Sequence, residues 1–164
     1  MFKSTKLFDG FSCCFRQWKA ETTHCKYLHG YGVSFRVTFD GRLDHRNWVW
    51  DFGGMKRAKT KIDGKSPKDW MDYMFDHTVL VAEDDPFLSD LQRLHHRKIY
   101  DSEKGSEHYG ILQLRVVPAT GAEKFAEFIF HKLNNFVKTE TNERVKVKQV
   151  EFREHGKNSA IYSE

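Results

Sequence analysis

The chain has 164 residues, a length that fits one domain, and 39% of them are hydrophobic. Aromatic residues make up 15%, which excludes intrinsic disorder. The formal net charge of +4 indicates a mildly basic protein. The apolar runs are too short to cross a bilayer, so we predict a single compact domain over residues 1–164 with no membrane partner.

The cysteine count and the first residues indicate the cellular compartment of the protein. Three cysteines are an odd number, and the opening stretch "MFKSTKLFDG" has no apolar core of the kind found in export signals. We therefore expect reduced thiols and a cytoplasmic protein.

Apolar and polar residues alternate in three segments of the first third of the chain. Segments 11–16 and 29–39 each place their odd-numbered, mostly apolar residues on one face. Segment 47–54 places its even-numbered Trp48, Trp50 and Phe52 on one face and ends at two glycines. A period of two predicts half-buried antiparallel strands.

Helix signals follow. Residues 66–69 combine an N-cap serine, a proline and an acid, and helically spaced apolar residues come after them. Segment 85–97 predicts a further short helix. Thr120 and Glu123 form a capping box before an amphipathic stretch that predicts a strong helix.

Two more strands are predicted at 111–118 and 144–154. The order of elements is then three strands, a helix, a strand, a helix and a strand. This order is typical of an α+β fold in which an antiparallel sheet carries its helices on one face.

Glu154 continues the face of Val150 and Phe152, so its carboxylate is expected to point inward. A buried carboxylate needs donors. It either caps the strand end or pairs with an arginine, or it binds a heterocycle that presents two parallel N–H groups.

Asp76 and His77 are adjacent just after a predicted helix. Such a pair can orient an imidazole for proton transfer, although most loop pairs of this kind are surface polar residues. The acidic run at 83–85 fits the N-terminus of the next helix better than it fits a metal site.

The stretch "HCKYLHGYG" places Cys25 beside His24 and four residues before His29. Neighbouring imidazoles lower the pKa of a thiol, which would make Cys25 reactive. His29 and Tyr31 end the apolar face of the second strand and are expected to point inward. The alternative is a hydrogen-bonded core histidine with no role in chemistry.

The basic run between residues 56 and 65 is either a solvated surface or a cationic pad for a polyphosphate. It lacks the interleaved aromatic residues of a single-strand nucleic-acid platform, so we rank a nucleic-acid partner well below a small anionic ligand.

Five ordered motifs carry a resemblance: "FSCCF", "CKYLHGY", "WDFGGMK", "FDH" and "REHGKNSAIY". Together they resemble the 6-pyruvoyl-/6-carboxy-tetrahydropterin synthase family over nearly the whole chain. The resemblance implies the T-fold, a four-stranded antiparallel sheet with helices packed on one face, which oligomerises into barrels as a homotrimer or hexamer. It also implies a small-molecule pterin substrate.

The resemblance assigns roles by matched position. Cys25 matches the catalytic thiol, Asp76 and His77 match the proton relay, and Glu154 matches the acid that anchors the pterin. The implied activity is that of a 6-carboxy-5,6,7,8-tetrahydropterin synthase-like lyase on 7,8-dihydroneopterin triphosphate, in 7-deazaguanine (queuosine-type) biosynthesis. The pyruvoyl-forming reaction is the other branch of the family.

The zinc site is where this sequence departs from the family. The three histidine positions read Phe15, His29 and Tyr31. Phenylalanine cannot coordinate and a neutral phenol is a poor zinc ligand. Zinc therefore stays a candidate cofactor with His29 as one ligand and His24 and Cys13 as replacements.

We expect Tyr31 to act instead as a hydrogen-bond donor to substrate. The alternative function is a pterin-binding T-fold protein with altered chemistry or no catalysis.

Overall fold

A computed structural model describes residues 1–101, 103 and 105–164 of the chain. Its strands are β1 (Phe2–Phe15), β2 (His29–Gly41), β3 (Thr78–Ala82), β4 (Lys98–Asp101), β5 (Ser106–Tyr109), β6 (Leu114–Val117), β7 (Val145–Arg153) and β8 (Ser159–Ser163). Its helices are α1 (Pro67–Phe75), α2 (Leu88–His96) and α3 (Ala122–Glu140), with 3₁₀ turns at His24–Lys26 and Phe52–Arg57.

The main sheet is mixed. Within the described part of the chain it has six strands in the order β6-β3-β1-β2-β7-β8, and β4 pairs with β5 in a separate hairpin. The strands β1, β2, β7 and β8 are antiparallel neighbours, whereas β3 lies parallel to β1 and β6 lies parallel to β3. The α+β class is confirmed, but the expected four-stranded antiparallel sheet is wrong because two parallel strands extend it.

The pairing of β1 with β2 sets the register of the sheet. Phe8 lies opposite Phe35 and Phe11 lies opposite Val33, so β1 contains one extra residue between the two pairs. Gly10, with a φ of 81°, supplies the backbone of this bulge. The bulge reverses the alternation of β1 and thereby keeps both Phe8 and Phe11 on the buried face.

The core is aromatic and lies between the sheet and the helices. Phe35 stacks with Phe11 at 5.5 Å between ring centroids, and Phe125 of α3 approaches Phe152 of β7 at 5.2 Å. Each of the residues Phe35, Phe125 and Phe152 is completely buried. Their burial attaches α3 to the sheet, because large aromatic side chains dominate the energy of packing. Within the described ranges, none of the helices combines the length and hydrophobicity of a bilayer span.

The predicted strand at 47–54 is wrong. Asp44 accepts hydrogen bonds from the backbone N–H groups of Arg46 and Trp48, which turns the chain, and Asp51 caps the 3₁₀ turn that follows. Phe52 still reaches the core from this loop and contacts Phe39 at 5.4 Å. Of the three aromatics predicted to share a buried face, Trp50 and Phe52 pack against the core, whereas Trp48 is 47% exposed and Val49, from the opposite face of the predicted strand, is buried.

The predicted helix starts had different outcomes. Ser66 is confirmed as the N-cap of α1, because its Oγ accepts the N–H of Asp69 at 3.3 Å. The Thr120 capping box is wrong: α3 begins after Gly121, and the Thr120 hydroxyl donates to the carbonyl of Arg16 at 2.6 Å. Instead of accepting a local backbone N–H, the hydroxyl donates to a distant backbone carbonyl.

A buried ion pair connects the end of β1 to the loop that follows β3. Arg16 Nη2 and Nε donate to the two carboxylate oxygens of Asp85 at 2.7 and 2.8 Å. The Asp85 side chain is only 1% exposed, and it also accepts the N–H of Phe87 at 2.9 Å. Burial opposes ionisation of Asp85, but Arg16 and the Phe87 N–H outweigh it and lower the pKa of this carboxyl.

This pair predicts a pH-dependent stability. Because the pKa of folded Asp85 lies below the value of 3.8 for a free aspartate, its contribution is present above about pH 4 and disappears as the pH falls through the folded value. We expect Asp85→Asn to lower the free energy of unfolding at neutral pH by about 3 kcal/mol, and the difference from wild type to shrink below pH 4. Denaturant titrations at several pH values measure this.

The matched control is Asp72→Asn, since Asp72 pairs with Lys68 on the surface of α1. Its effect should stay within about 0.5 kcal/mol. Parallel stability curves for wild type and Asp85→Asn across the acid range would contradict the prediction.

Candidate active site

The three positions that the family resemblance aligns with zinc ligands do meet in space. The register of β1 and β2 places Phe15 directly opposite His29, with Tyr31 two residues further along the same face. Phe15 and Tyr31 stack with ring centroids 4.0 Å apart and planes 9° from parallel. The His29 ring lies 4.5 Å from that of Tyr31. Strand pairing alone therefore assembles this cluster.

The chemistry of the cluster does not fit zinc. Phe15 is completely buried and has no donor atom, and burial raises the pKa of the Tyr31 phenol to about 12, with further contributions from Glu154 and Cys25. Tyr31 is therefore a neutral hydrogen-bond donor at physiological pH. His29 Nδ1 lies 2.8 Å from the carbonyl of Tyr27, to which it donates, and the His29 side chain is exposed rather than inward as expected. One imidazole in this cluster can coordinate, and zinc needs three or four ligands.

The proposed replacement ligands do not complete the set. Cys13 is buried opposite Tyr31, and burial, followed by the charges of Cys14 and Asp76, raises the pKa of its thiol to about 12. His24 lies on the exposed 3₁₀ turn. Among the residues that the structure describes, His, Cys, Asp and Glu side chains form no group of three that could hold a metal. Zinc binding stays a prediction.

Cys25 lies on a short, well-anchored turn. Thr23 caps the 3₁₀ turn through its Oγ, which accepts the Cys25 N–H at 3.3 Å, and the Cys25 carbonyl accepts the N–H of Gln17 at 2.8 Å. The Cys25 side chain is half-buried, and Gln17, which holds its carbonyl, lies two residues after Phe15, whose ring stacks on Tyr31. Cys25 and Tyr31 therefore lie at the same end of the sheet.

Glu154 lies at that end too. It follows the buried residues Val150 and Phe152 and is half-buried. Burial raises the pKa of this carboxyl, as does the charge of Glu123, while His29 and the Ala122 N–H at the start of α3 favour the ionised form. Glu154 lies just beyond the end of β7 and is partly rather than fully buried, and its role as pterin anchor remains a prediction.

Asp76 and His77 form a defined pair beside β1. His77 Nδ1 lies 3.1 Å from Asp76 Oδ2, and Ser12 binds both residues: its N–H donates to Asp76 and its carbonyl accepts from the His77 N–H. Burial opposes ionisation of Asp76, but the Ser12 amide and His77 outweigh it and lower the pKa. His77 adopts a left-handed backbone with a φ of 55°, and its side chain is 79% exposed. Its Nε2 is therefore presented outward.

The relay pair and the thiol turn are attached at different points around the end of β1. The pair is attached at Ser12 within β1, and the Cys25 turn is attached at Gln17, two residues after β1 ends. At no more than about 3.3 Å per residue the two attachment points are at most about 17 Å apart. Cys25, Tyr31 and Glu154 thus lie around the end of β1, and the relay pair is attached five residues earlier than the thiol turn.

The basic run lies at the other end of the sheet. Phe52, just before it, contacts Phe39 near the end of β2, and Thr60 within it donates its N–H to Glu140 at the end of α3. His29, beside the thiol turn, begins β2 ten residues before Phe39. Within one chain these contacts place Thr60 near the end of α3 that is remote from Ala122, and Phe52 near the end of β2 that is remote from His29.

Sequence reasoning missed Arg16 and Asp85. Each residue lies where the sequence indicates the end of an element: Arg16 ends a segment of alternating residues, and Asp85 precedes a proline after an apolar run. Nothing in their spacing of 69 residues indicated that they pair.

Comparison with known proteins bears on the family. The sequence profile described as 6-pyruvoyl tetrahydropterin synthase matches residues 5–164. Among curated proteins, no sequence matches the chain.

Solved structures are similar in fold. An uncharacterized protein from Wolinella succinogenes has a TM-score of 0.73 at 22% identity, covering 99% of this chain and 97% of that one. The 6-pyruvoyl tetrahydropterin synthase of Plasmodium falciparum has a TM-score of 0.62 at 13% identity, with coverages of 99% and 98%. The Caenorhabditis elegans enzyme has a TM-score of 0.60 at 15% identity, with coverages of 99% and 95%.

At these identities the structural matches show the fold alone, whereas the profile match extends over nearly all of the sequence. The chain therefore belongs to the 6-pyruvoyl tetrahydropterin synthase family.

Proposed function

We propose that the protein is a lyase that acts on 7,8-dihydroneopterin triphosphate or a close pterin, of the 6-carboxytetrahydropterin synthase type, in 7-deazaguanine biosynthesis. The observation that carries this proposal is the position of Tyr31: its ring stacks on Phe15, two residues before the Gln17 N–H that holds the Cys25 carbonyl, and the charge of Glu154 helps to raise the pKa of its phenol. A carboxylate for the ring thus acts electrostatically on one hydroxyl, and a thiol for the side chain lies on a turn held at the same end of β1, in a chain of this family.

Each residue then has a chemical task. The Glu154 carboxylate accepts two parallel N–H groups of the pterin ring. The Cys25 thiolate takes a proton from a side-chain carbon of the substrate. The Tyr31 hydroxyl donates a hydrogen bond to the side-chain oxygen on which negative charge develops, which is the task of an electrophile at this position.

The relay pair suits proton transfer to or from the same substrate. Asp76 holds the Nδ1 proton of His77, so the exposed Nε2 is the atom that exchanges protons. Because the pair and Cys25 are attached at points up to about 17 Å apart in one chain, we expect a neighbouring chain to supply the pair of a complete site. Native mass spectrometry that found only single chains at working concentration would contradict this expectation.

The exposed edge of β1 supports assembly into a homotrimer or hexamer. Among the described strands, the part of β1 from Phe2 to Ser12 is paired only with β2, and Phe2 and Leu7 are 59% and 44% exposed. A long unpaired edge with apolar side chains favours pairing with another copy.

We also infer a cytoplasmic location from the three cysteines, which are free thiols. A native disulfide found in protein isolated from its cell would contradict this inference.

The second candidate function is a pterin-binding protein without catalysis. The stack of Phe15 on Tyr31 favours it, because this contact occupies two positions at which the family has zinc ligands. The two candidates differ in turnover and agree on pterin binding.

Replacing Cys25 tests the chemistry. We expect Cys25→Ala to reduce turnover of 7,8-dihydroneopterin triphosphate by at least about 100-fold, because it removes the proposed base, and to leave pterin binding intact. Mass spectrometry of the products measures turnover and identifies the branch of the reaction.

Cys14→Ala is the matched control, since Cys14 alternates with Cys13 along β1 and so projects from the opposite face of the sheet. Turnover by Cys25→Ala at the wild-type rate would eliminate the thiol mechanism. A wild-type protein that binds the pterin but never converts it would support the second candidate function, pterin binding without catalysis.

Replacing Glu154 tests pterin recognition separately. Glu154→Gln loses the charge that supports two hydrogen bonds, and we expect the Kd for 7,8-dihydroneopterin to rise by about tenfold to a hundredfold. Fluorescence titration of the pterin measures the affinity.

Glu151→Gln is the control on the same strand, because Glu151 pairs with Arg153 at 2.7 Å, one position out of phase with the inward face. Equal affinities for wild type and Glu154→Gln would remove Glu154 from the proposed site.

A further inference from the structure

We propose that Arg16 is a positioning residue for the Cys25 thiol, and that Asp85 holds Arg16 in the orientation that this task requires. The inference rests on the proposed role of Cys25. It concerns two residues that lie outside the cluster of Cys25, Tyr31 and Glu154.

Arg16 connects the ion pair to the thiol turn. While Nε and Nη2 donate to Asp85, Nη1 donates to the carbonyl of Lys26 at 3.1 Å. Lys26 is the residue after Cys25. One guanidinium therefore joins a buried carboxylate to the backbone that carries the thiol.

The backbone of β1 adds a second contact to the same turn. The Gln17 N–H donates to the carbonyl of Cys25 at 2.8 Å, so the carbonyls of Cys25 and Lys26 are both held by residues at the end of β1. Because the carbonyls of two consecutive peptide groups are both hydrogen-bonded, the thiol turn has little freedom to rotate. The position of the Cys25 side chain relative to Tyr31 follows from these contacts.

The anchor itself is rigid. The Asp85 side chain is 1% exposed and accepts the Phe87 N–H, and the Arg16 guanidinium lies 5.3 Å from the centroid of the Phe87 ring. The neighbouring Asp84 makes two more contacts with the same loop, accepting from Trp18 Nε1 at 3.0 Å and lying 2.9 Å from Lys19 Nζ. The loop after β3 thus holds the loop after β1 at several points.

The geometry requires arginine. A guanidinium presents donors in a planar fork, which is what allows one group to face a carboxylate and a carbonyl together. The ammonium of a lysine is a point charge. It can remain beside Asp85, but it cannot hold Lys26 as well.

The test is the variant Arg16→Lys, for which kcat and KM are measured together with the rate of Cys25 alkylation. Because small displacements of a reacting group cost much rate, we expect kcat to fall by about tenfold while KM changes by less than about threefold. We also expect iodoacetamide to alkylate Cys25 at least about fivefold faster between pH 6 and 9, because the turn opens more often. Peptide mass spectrometry separates Cys25 from Cys13 and Cys14.

Arg46→Lys is the matched control. Arg46 pairs with Asp44 at 2.9 Å in the loop after β2, beyond the end of that strand remote from His29. Both readouts should stay at wild-type values. If Arg16→Lys does not fold, Asp85→Glu, which keeps the charge and moves the carboxylate, should give the same two changes.

A wild-type rate of Cys25 alkylation at every pH in the folded variant would overturn the proposal. If wild-type protein shows no turnover, the proposed lyase function fails, and the alkylation rate still decides whether Arg16 positions the thiol.

Discussion

The register between β1 and β2 is the constraint on which the rest of the structure depends. A slip of one residue would turn Phe11 and Phe15 from the core to the open face of the sheet. The bulge at Gly10 fixes the register, because it is the one place in this strand pair where β1 has an extra residue with no partner in β2. The same register places Phe15 opposite His29 and beside Tyr31, so core and candidate site are determined by one set of backbone pairs.

The contact between Phe15 and Tyr31 gives this site a chemical character different from that implied by the family resemblance. A parallel stack at 4.0 Å is an apolar contact, continuous with the aromatic core through Phe125, which meets Phe15 edge-on at 4.9 Å. A core extended to the candidate site supports a rigid phenol and offers few metal ligands. The half-buried Cys25 and Glu154 keep the polar groups that pterin chemistry would use.

Sequence patterns predicted the elements with a clear period. The alternation of 29–39 and of 144–154 and the amphipathic stretch of α3 were identified because each buries one face. The strand β3 was missed because it is parallel and flanked on both sides, and its run of buried residues has no alternation. Within the site, local motifs identified Cys25, but the pairing of Arg16 with Asp85 depends on tertiary contact between residues far apart in sequence.

The measurement that tests the account most directly is turnover of 7,8-dihydroneopterin triphosphate by protein purified in chelator, with zinc per chain determined on the same sample. If Tyr31 acts as the electrophile in place of a metal, 6-carboxytetrahydropterin forms in a sample with far less than one zinc per chain. Turnover that vanishes on chelation and returns in proportion to one zinc per chain would contradict this account and show that other residues complete a metal site around His29.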